Sequence, residues 1–245
     1  MVGQRLRPDP CTTRRSQVDA AAIAAVGVSG MVPALVLLDA DGRPVRRSIQ
    51  QSDGRTGREV EAMRAATDEA AFLARCGNGI NQQLLAPKLR WLRVHEPEAL
   101  SATGHIMGSY DFIALSLTGE ATVERNWALE AGFLDLGTDA VAPDLVALGG
   151  IDASLVPPVR AGHEVVGTVT RAAAAVTGLR AGTPVVAGAA DHVASAFVAG
   201  VQAPGDLLIK FGGAGDVLLA TAEPRPDPRL FLDFHLVPGL FLPNG

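Results

Sequence analysis

Apolar and polar positions follow two rhythms along the chain. From Ala20 to Leu38 the run "AAAIAAVGVSGMVPALVLL" carries no charge, but Gly27, Ser29, Gly30 and Pro33 divide it. It predicts a buried strand, a glycine-rich turn and a second strand that ends at the Asp41-Gly42 turn. Arg58 to Cys76, "REVEAMRAATDEAAFLARC", places Val60, Met63, Ala66 or Ala70, and Phe72-Leu73 near a 3.6-residue period. It reads as one helix that Gly77 caps. "APKLRWLRVHEPEAL" predicts a second helix, ended or kinked near Pro97. "GSYDFIALSLTGE" predicts a third, closing at Gly119, and "PDLVALGGI" a fourth.

The texture then changes. "HEVVGTVT" alternates like a strand, "RAAAAVTGL" is a short helix ending at Gly178, and "TPVVAGAAD" is a strand followed by small residues. "HVASAFVAGV" is an apolar helix. "DLLIKFGGAGDVLLAT" reads as two strands around a glycine-rich turn. The tail is Pro-rich, then strand-like, and stops at "PNG" without a closing element. Alternating helices and strands define an α/β class. No repeat is evident at periods of about 20–50 residues. Residues 1–19 are polar, Arg- and Pro-containing and aperiodic, the pattern of a disordered or non-native lead-in.

Composition narrows the function. The 245 residues are 48% hydrophobic and 19% charged, enough apolar material for a sizeable core. The net charge of -5 and the lack of a long basic block argue against nucleic acid; the densest cluster, "RPVRRS", sits beside a turn. Two cysteines, Cys11 and Cys76, without a CxxC, suit a reduced, cytoplasmic protein. Five scattered histidines in no ligand spacing leave a dedicated metal site unsupported. Arg14-Arg15 before the apolar run superficially imitates an export signal or a membrane span, but the glycines and proline inside the run oppose both. Neither a P-loop nor a dinucleotide GxGxxG is present.

Three stretches could carry chemistry. In "TPVVAGAADHVASAF" a strand leads through small residues to Asp191 at a helix start. Pattern alone makes Asp191 a helix N-cap. The same position lies at the mouth of a cleft in an open α/β sheet, where a carboxylate could take a proton from an attacking hydroxyl. "KFGGAGDV" is a hairpin turn, or a nest of backbone N–H groups for phosphate at Gly212, Gly213, Ala214 and Gly215. "QQSDGRT" is a solvated turn, or a polar cluster of Gln51, Asp53 and Arg55 for a polyhydroxylated ligand. Trp127 in "ERNWALEAGFLDL" is explained by a buried amphipathic element.

In this order, "AAVGVSG…ALVLLDADGRPV", "SIQQSDGRT", "APKLRWL", "YDFIALSLTGE", "ALEAGFLDL", "HEVVGTVTRAAAAVTGLRAGTPVVAGAADHVASAFVAGV" and "PGDLLIKFGGAGDVLLAT" resemble the FGGY family of carbohydrate kinases, particularly its xylulokinase-like members. The resemblance implies an actin-like, ribonuclease-H-type ATPase fold of two domains with a sugar cleft between them. It implies ATP- and Mg²⁺-dependent phosphorylation of a sugar or polyol. Asp191 then matches the base, and Gly212, Gly213, Ala214 and Gly215 match the second phosphate loop. Asp53 and Arg55 match a turn beside the sugar, and His192 stands where relatives carry a sugar-touching amide. The implied division is a lead-in at 1–21, a sugar-binding domain at 22–200 that lacks its first strands, and the start of a nucleotide-binding domain at 201–245.

The departures are specific. Val32-Pro33 replaces a polar pair, Gln51 a tryptophan and Gly213 a threonine, while Asp216 stands where relatives are apolar. A sugar or polyol other than xylulose or glycerol is therefore expected, with Gln50, Gln51, Gln82 or Gln83 supplying contacts. No DxGTxxxR phosphate hairpin precedes residue 22 and no adenosine-binding half follows, so truncation at both ends is expected. The alternatives are a non-catalytic remnant that binds a sugar or a partner, and an exported binding protein. A homodimer is left open; membrane and nucleic-acid partners are not expected.

Overall fold

The computed structural model describes residues 18–211 and 215–245. The lead-in through residue 17, with Cys11 and Arg14-Arg15, lies outside them. A 3₁₀ turn at Ala20–Ala22 leads to β1 (Ser29–Gly30) and β2 (Val36–Leu38). Val26 bridges Val185 in parallel, and Ser29 and Gly30 pair with Ala189 and Ala190. The expected first strand thus exists but is not buried: Val26 and Val28 are half-buried and Ser29 is exposed. Among the described residues it is bonded along one edge only. β2 is wholly buried and turns at Gly42, whose φ is 77°.

The single helix expected over Arg58–Cys76 is two: α1 (Gly57–Ala66) and α2 (Glu69–Cys76). Thr67 is extended, and Asp68 Oδ1 accepts from Ala71 N at 3.0 Å to start the second. The apolar period survives the break because Val60, Met63, Phe72 and Cys76 enter one small core together. Gly77 ends α2 in the left-handed conformation, as expected. α3 (Leu85–His95) and α4 (Pro97–Ser101) divide at Pro97, which occupies the first turn of α4.

β3 (His105–Met107) pairs antiparallel with β2. α5 (Ser109–Thr118) follows, then β4 (Val123–Glu124) and α6 (Arg125–Glu130). Trp127 is fully buried and donates Nε1–H to the Ala34 carbonyl at 2.9 Å. β5 (Leu134–Asp135) and β6 (Ala140–Val141) form a small hairpin before α7 (Pro143–Ala147). β7 (Val159–Arg160) runs parallel to β4.

β8 (Val165–Thr168), α8 (Arg171–Thr177) and β9 (Pro184–Val186) pack beneath α5. β10 (Ala189–Ala190) then runs into α9 (Asp191–Val198). The last strands, β11 (Leu207–Phe211), β12 (Gly215–Leu219), β13 (Phe231–Phe234) and β14 (Phe241–Asn244), form one antiparallel sheet in the order β11-β12-β14-β13. The terminal strand therefore sits inside the sheet, between β12 and β13. Its Leu242, with Leu218 and Phe234, joins the main core of Leu37, Ile106, Trp127 and Val193. No helix among the described residues is long and apolar enough to cross a membrane.

Two asparagine side chains fix β13. Asn78 donates to the Leu232 carbonyl at 3.0 Å and accepts from Leu232 N at 2.9 Å. Asn126 does the same at Phe234, at 3.0 and 2.7 Å. Each amide pairs with the backbone of β13 through two hydrogen bonds, as a neighbouring strand would. Asp233 is held between them.

Candidate active site

β9, the Ala187-Gly188 turn and β10 deliver Asp191. Gly188 has φ 93°, and a Cβ there would run into the Val28 carbonyl oxygen. Only glycine lets β10 lie beside β1 at this point. The cap expected of Asp191 is absent. Ala190 is the N-cap residue, Asp191 is the first helical residue, and its carboxylate makes no capping bond. The carboxylate is instead 59% exposed at the mouth of a cavity of about 260 Å³. It still gains from the helix dipole. His192, then burial working in the opposite direction, sets the acidity of Asp191; the net effect is a lowered pKa.

The cavity brings together four of the residues expected from sequence: Gln51, Gln83, Asp191 and His192. Gln51 Oε1 is buried without a hydrogen-bond partner among the described residues. Val32 lines the same space, so the apolar substitution anticipated there faces the cavity. Asp53 and Arg55 do not line it. Arg55 donates to both oxygens of Asp53, at 2.8 and 2.7 Å, and its guanidinium lies 4.7 Å above the Trp91 ring. Their two-residue spacing lets each satisfy the other. Gln50 also turns away and donates to Ser48 Oγ. Gln82 lines a second, larger cavity of about 490 Å³ with Arg64 and Arg229, which contains none of the acidic groups around Asp191. Of the expected phosphate loop, Gly212, Gly213 and Ala214 lie outside the described residues. Gly215 opens β12 opposite Phe211.

Sequence reasoning missed the far wall. His192 Nε2 lies 2.7 Å from Asp233 Oδ2, and Asn244 Nδ2 donates to that same oxygen at 2.9 Å. Glu130 Oε1 is 3.9 Å from His192 Nε2, and Asp191 Oδ1 is 3.6 Å from Nδ1. Burial opposes a charged imidazole, but Asp233, Asp191 and Glu130 together outweigh it and raise its pKa to about 11. Burial, reinforced by Asp233, pushes the Glu130 carboxyl well up. The available signal was a lone acid in each of two apolar runs, "ALEAGF" and "LFLDFHL". Also missed was Lys88, fully buried on α3, which donates to the Gln83 carbonyl at 2.9 Å and lies 3.5 Å from that of Gln51. Burial lowers its pKa to about 8. Lys210 and Asp216 form an ion pair at 2.6 Å across β11 and β12.

Asp191 is thus an exposed carboxylate at a strand-to-helix turn, facing a polar cavity that Gln51 also lines. The model of the FGGY family of carbohydrate kinases, N-terminal domain, matches residues 10–198. The chain belongs to this family, and its α/β fold is the actin-like fold of that family. Among its relatives, an autoinducer-2 kinase of Yersinia enterocolitica is 30% identical over 92% of the chain and 43% of the relative. A xylulose kinase of Streptomyces rubiginosus is 32% identical over 84% of the chain and 42% of the relative. The crystal structure of a xylulose kinase from Rhodospirillum rubrum superposes with a TM-score of 0.89 at 57% identity, covering 91% of this chain and 46% of that one. The chain thus spans less than half the length of the relatives it matches.

Proposed function

We propose that the protein phosphorylates a hydroxyl of a sugar or polyol, with Asp191 as the base. The observation that carries this reading is the Asp191 carboxylate, free of the cap role, at the mouth of the cavity. In the proposed reaction Asp191 accepts the proton of the attacking hydroxyl as the phosphoryl group moves in line. Gln51 Oε1 accepts from a second hydroxyl, and Gln83 lines the same wall. Xylulose and autoinducer-2 are the acceptors in the names of relatives and are the first to test. Asp53 and Arg55 reach a ligand only if their ion pair opens.

In this reading ATP would supply the phosphoryl group, and a bound Mg²⁺ would neutralise its charge. Among the described residues neither group finds a fitting set of side chains. Glu130, His192 and Asp233 offer three ligand atoms within 4.8 Å of one another. They do not suit Mg²⁺, which takes oxygen ligands, because the imidazole nitrogen is bound to Asp233. Lys210 does not suit ATP phosphate either, since Asp216 holds its ammonium. The division into a sugar-binding part at 22–200 and a following part from 201 belongs to the same proposal, as does a cytoplasmic setting.

The test is ADP release, at the length of the relatives, across ketoses, aldoses and polyols. Asp191→Asn is expected to lower turnover by about 10²–10⁴-fold. Unchanged turnover removes Asp191 from the role of base.

A further inference from the structure

His192 stands between two carboxylates. Its Nε2 is hydrogen-bonded to Asp233 at 2.7 Å, and its Nδ1 lies 3.6 Å from Asp191, at ion-pair distance. An imidazole with a carboxylate at each nitrogen is satisfied only when both nitrogens carry protons. The Asp233 carboxylate is fully buried, and its Oδ2 also accepts from Asn244. Two further oxygens on this wall, Asp233 Oδ1 and Glu130 Oε1, are buried without a conventional donor among the described residues. A single proton on Glu130, donated to Asp233, would satisfy both.

From this geometry we infer that Asp233, backed by Glu130, is a positioning residue that holds His192 as a cation whose free side is spent on Asp191. His192 then acts on the candidate base and not on the sugar. The chain of contacts runs Glu130, Asp233, His192, Asp191, from the buried wall to the cavity mouth. The cation keeps Asp191 ionised and fixes the direction of its carboxylate. The consequence for a reaction at Asp191 rests on the proposed function; the charge and placement of His192 do not.

Other charges face this chain from each packed element. Lys88 on α3 acts on Glu130, Glu124 on β4 acts on Glu130 and Asp233 affects Glu124, while Lys210 on β11 acts on Asp191. Of these, only the two lysines are cationic, and neither lies within bonding distance of the imidazole. The adjacent acids dominate its protonation.

Nitrogen-15 NMR of the His192 ring in this chain tests the inference, with resonances assigned by their loss in His192→Gln. Both ring nitrogens are expected to stay protonated at about pH 8, well above the ordinary histidine range. Asp233→Asn is expected to lower the midpoint by about two pH units or more, the scale of losing a buried charge partner. Glu130→Gln retains a donor toward Asp233 and is expected to leave His192 charged. Carbon-13 titration of the Asp191 carboxyl supplies an independent readout should Asp233→Asn not fold. In His192→Gln, which alters a partly exposed side chain, the Asp191 midpoint is expected to rise by about one unit. A neutral His192 ring at about pH 8 in the unaltered chain overturns the inference. So does an unmoved His192 midpoint in folded Asp233→Asn, or an unmoved Asp191 in His192→Gln. None of these readouts requires turnover, so a failure of the proposed kinase activity stays distinguishable.

Discussion

Two acid–base clusters in this molecule look alike on paper and differ in physics. Asp53 and Arg55 meet at the surface, both oxygens accept from one guanidinium, and Trp91 backs the cation. Around His192 the acids outnumber the cation. Glu130 and Asp233 are buried, each with an oxygen lacking a donor among the described residues. The first cluster is complete without a ligand; the second is held together only by the protonation states of its members. A buried, incompletely satisfied polar group is costly, and such cost is maintained where chemistry needs it. Polarity in a motif is therefore a poorer guide to a site than what its side chains have left to give.

The strongest way to break the comparison is to remove one acid from the buried cluster. Asp233→Ala strands the His192 cation and the Asn244 amide. Urea unfolding is expected to show a loss of about 3–5 kcal/mol, the range for an uncompensated buried charge. A loss within about 1 kcal/mol would make the cluster equivalent to a surface ion pair.

The pH dependence tests the same contrast without mutation. Burial pushes Asp111 up to about 7 and Glu124 up to about 8, although both accept hydrogen bonds, Glu124 from Tyr110 at 2.8 Å. His192 is raised to about 11. All three folded-state values exceed the unfolded ones. Their stabilising contributions are therefore full below the unfolded values and are lost as pH rises through the folded ones. The urea midpoint is expected to fall between about pH 5 and pH 8. Glu124→Gln should make that fall shallower. A midpoint that rises over this window contradicts the burial assigned to these groups.

Much of the architecture was legible because its signals are local. Gly77, Gly119 and Gly178 end helices in left-handed conformations where the sequence placed their ends, and Pro97 divides α3 from α4. The break at Thr67-Asp68 was not legible, since the apolar period runs straight through it. Asp191 was legible through its strand-to-helix setting, whereas its failure to cap was not. Asp233 and Glu130 were beyond local reading, because residues 130, 192 and 233 meet only through the asparagine clamps on β13 and the packing of α6. The ion pair of Asp53 with Arg55 was not legible, because two polar residues two apart in sequence can share a ligand as readily as satisfy each other.

Gly188 sets the backbone path that carries Asp191 past β1. Gly188→Ala must place a Cβ at φ 93° against the Val28 carbonyl. A loss of about 1–3 kcal/mol is expected from thermal unfolding, with the Asp191 carbon resonances shifted as β10 moves off β1. Wild-type stability with unmoved resonances would show that β10 tolerates a different path.

The smallest effect should come from the surface pair. Arg55→Ala removes an ion pair whose side chains are 35% and 24% exposed, together with the stacking over Trp91. Exposed pairs contribute about 0.2–1 kcal/mol and an exposed cation over an aromatic ring about 0.5–1. A loss near 1 kcal/mol is therefore expected, with the His192 ring signals unchanged, because Arg55 contacts nothing in that wall. The informative comparison is ligand affinity in the same variant. If sugar binding collapses while the fold and the His192 signals persist, the Asp53–Arg55 pair opens toward the ligand, and the two clusters act on one molecule. If binding persists, the polar turn of "QQSDGRT" contributes Gln51 to the cavity and leaves Asp53 and Arg55 as the brace behind it.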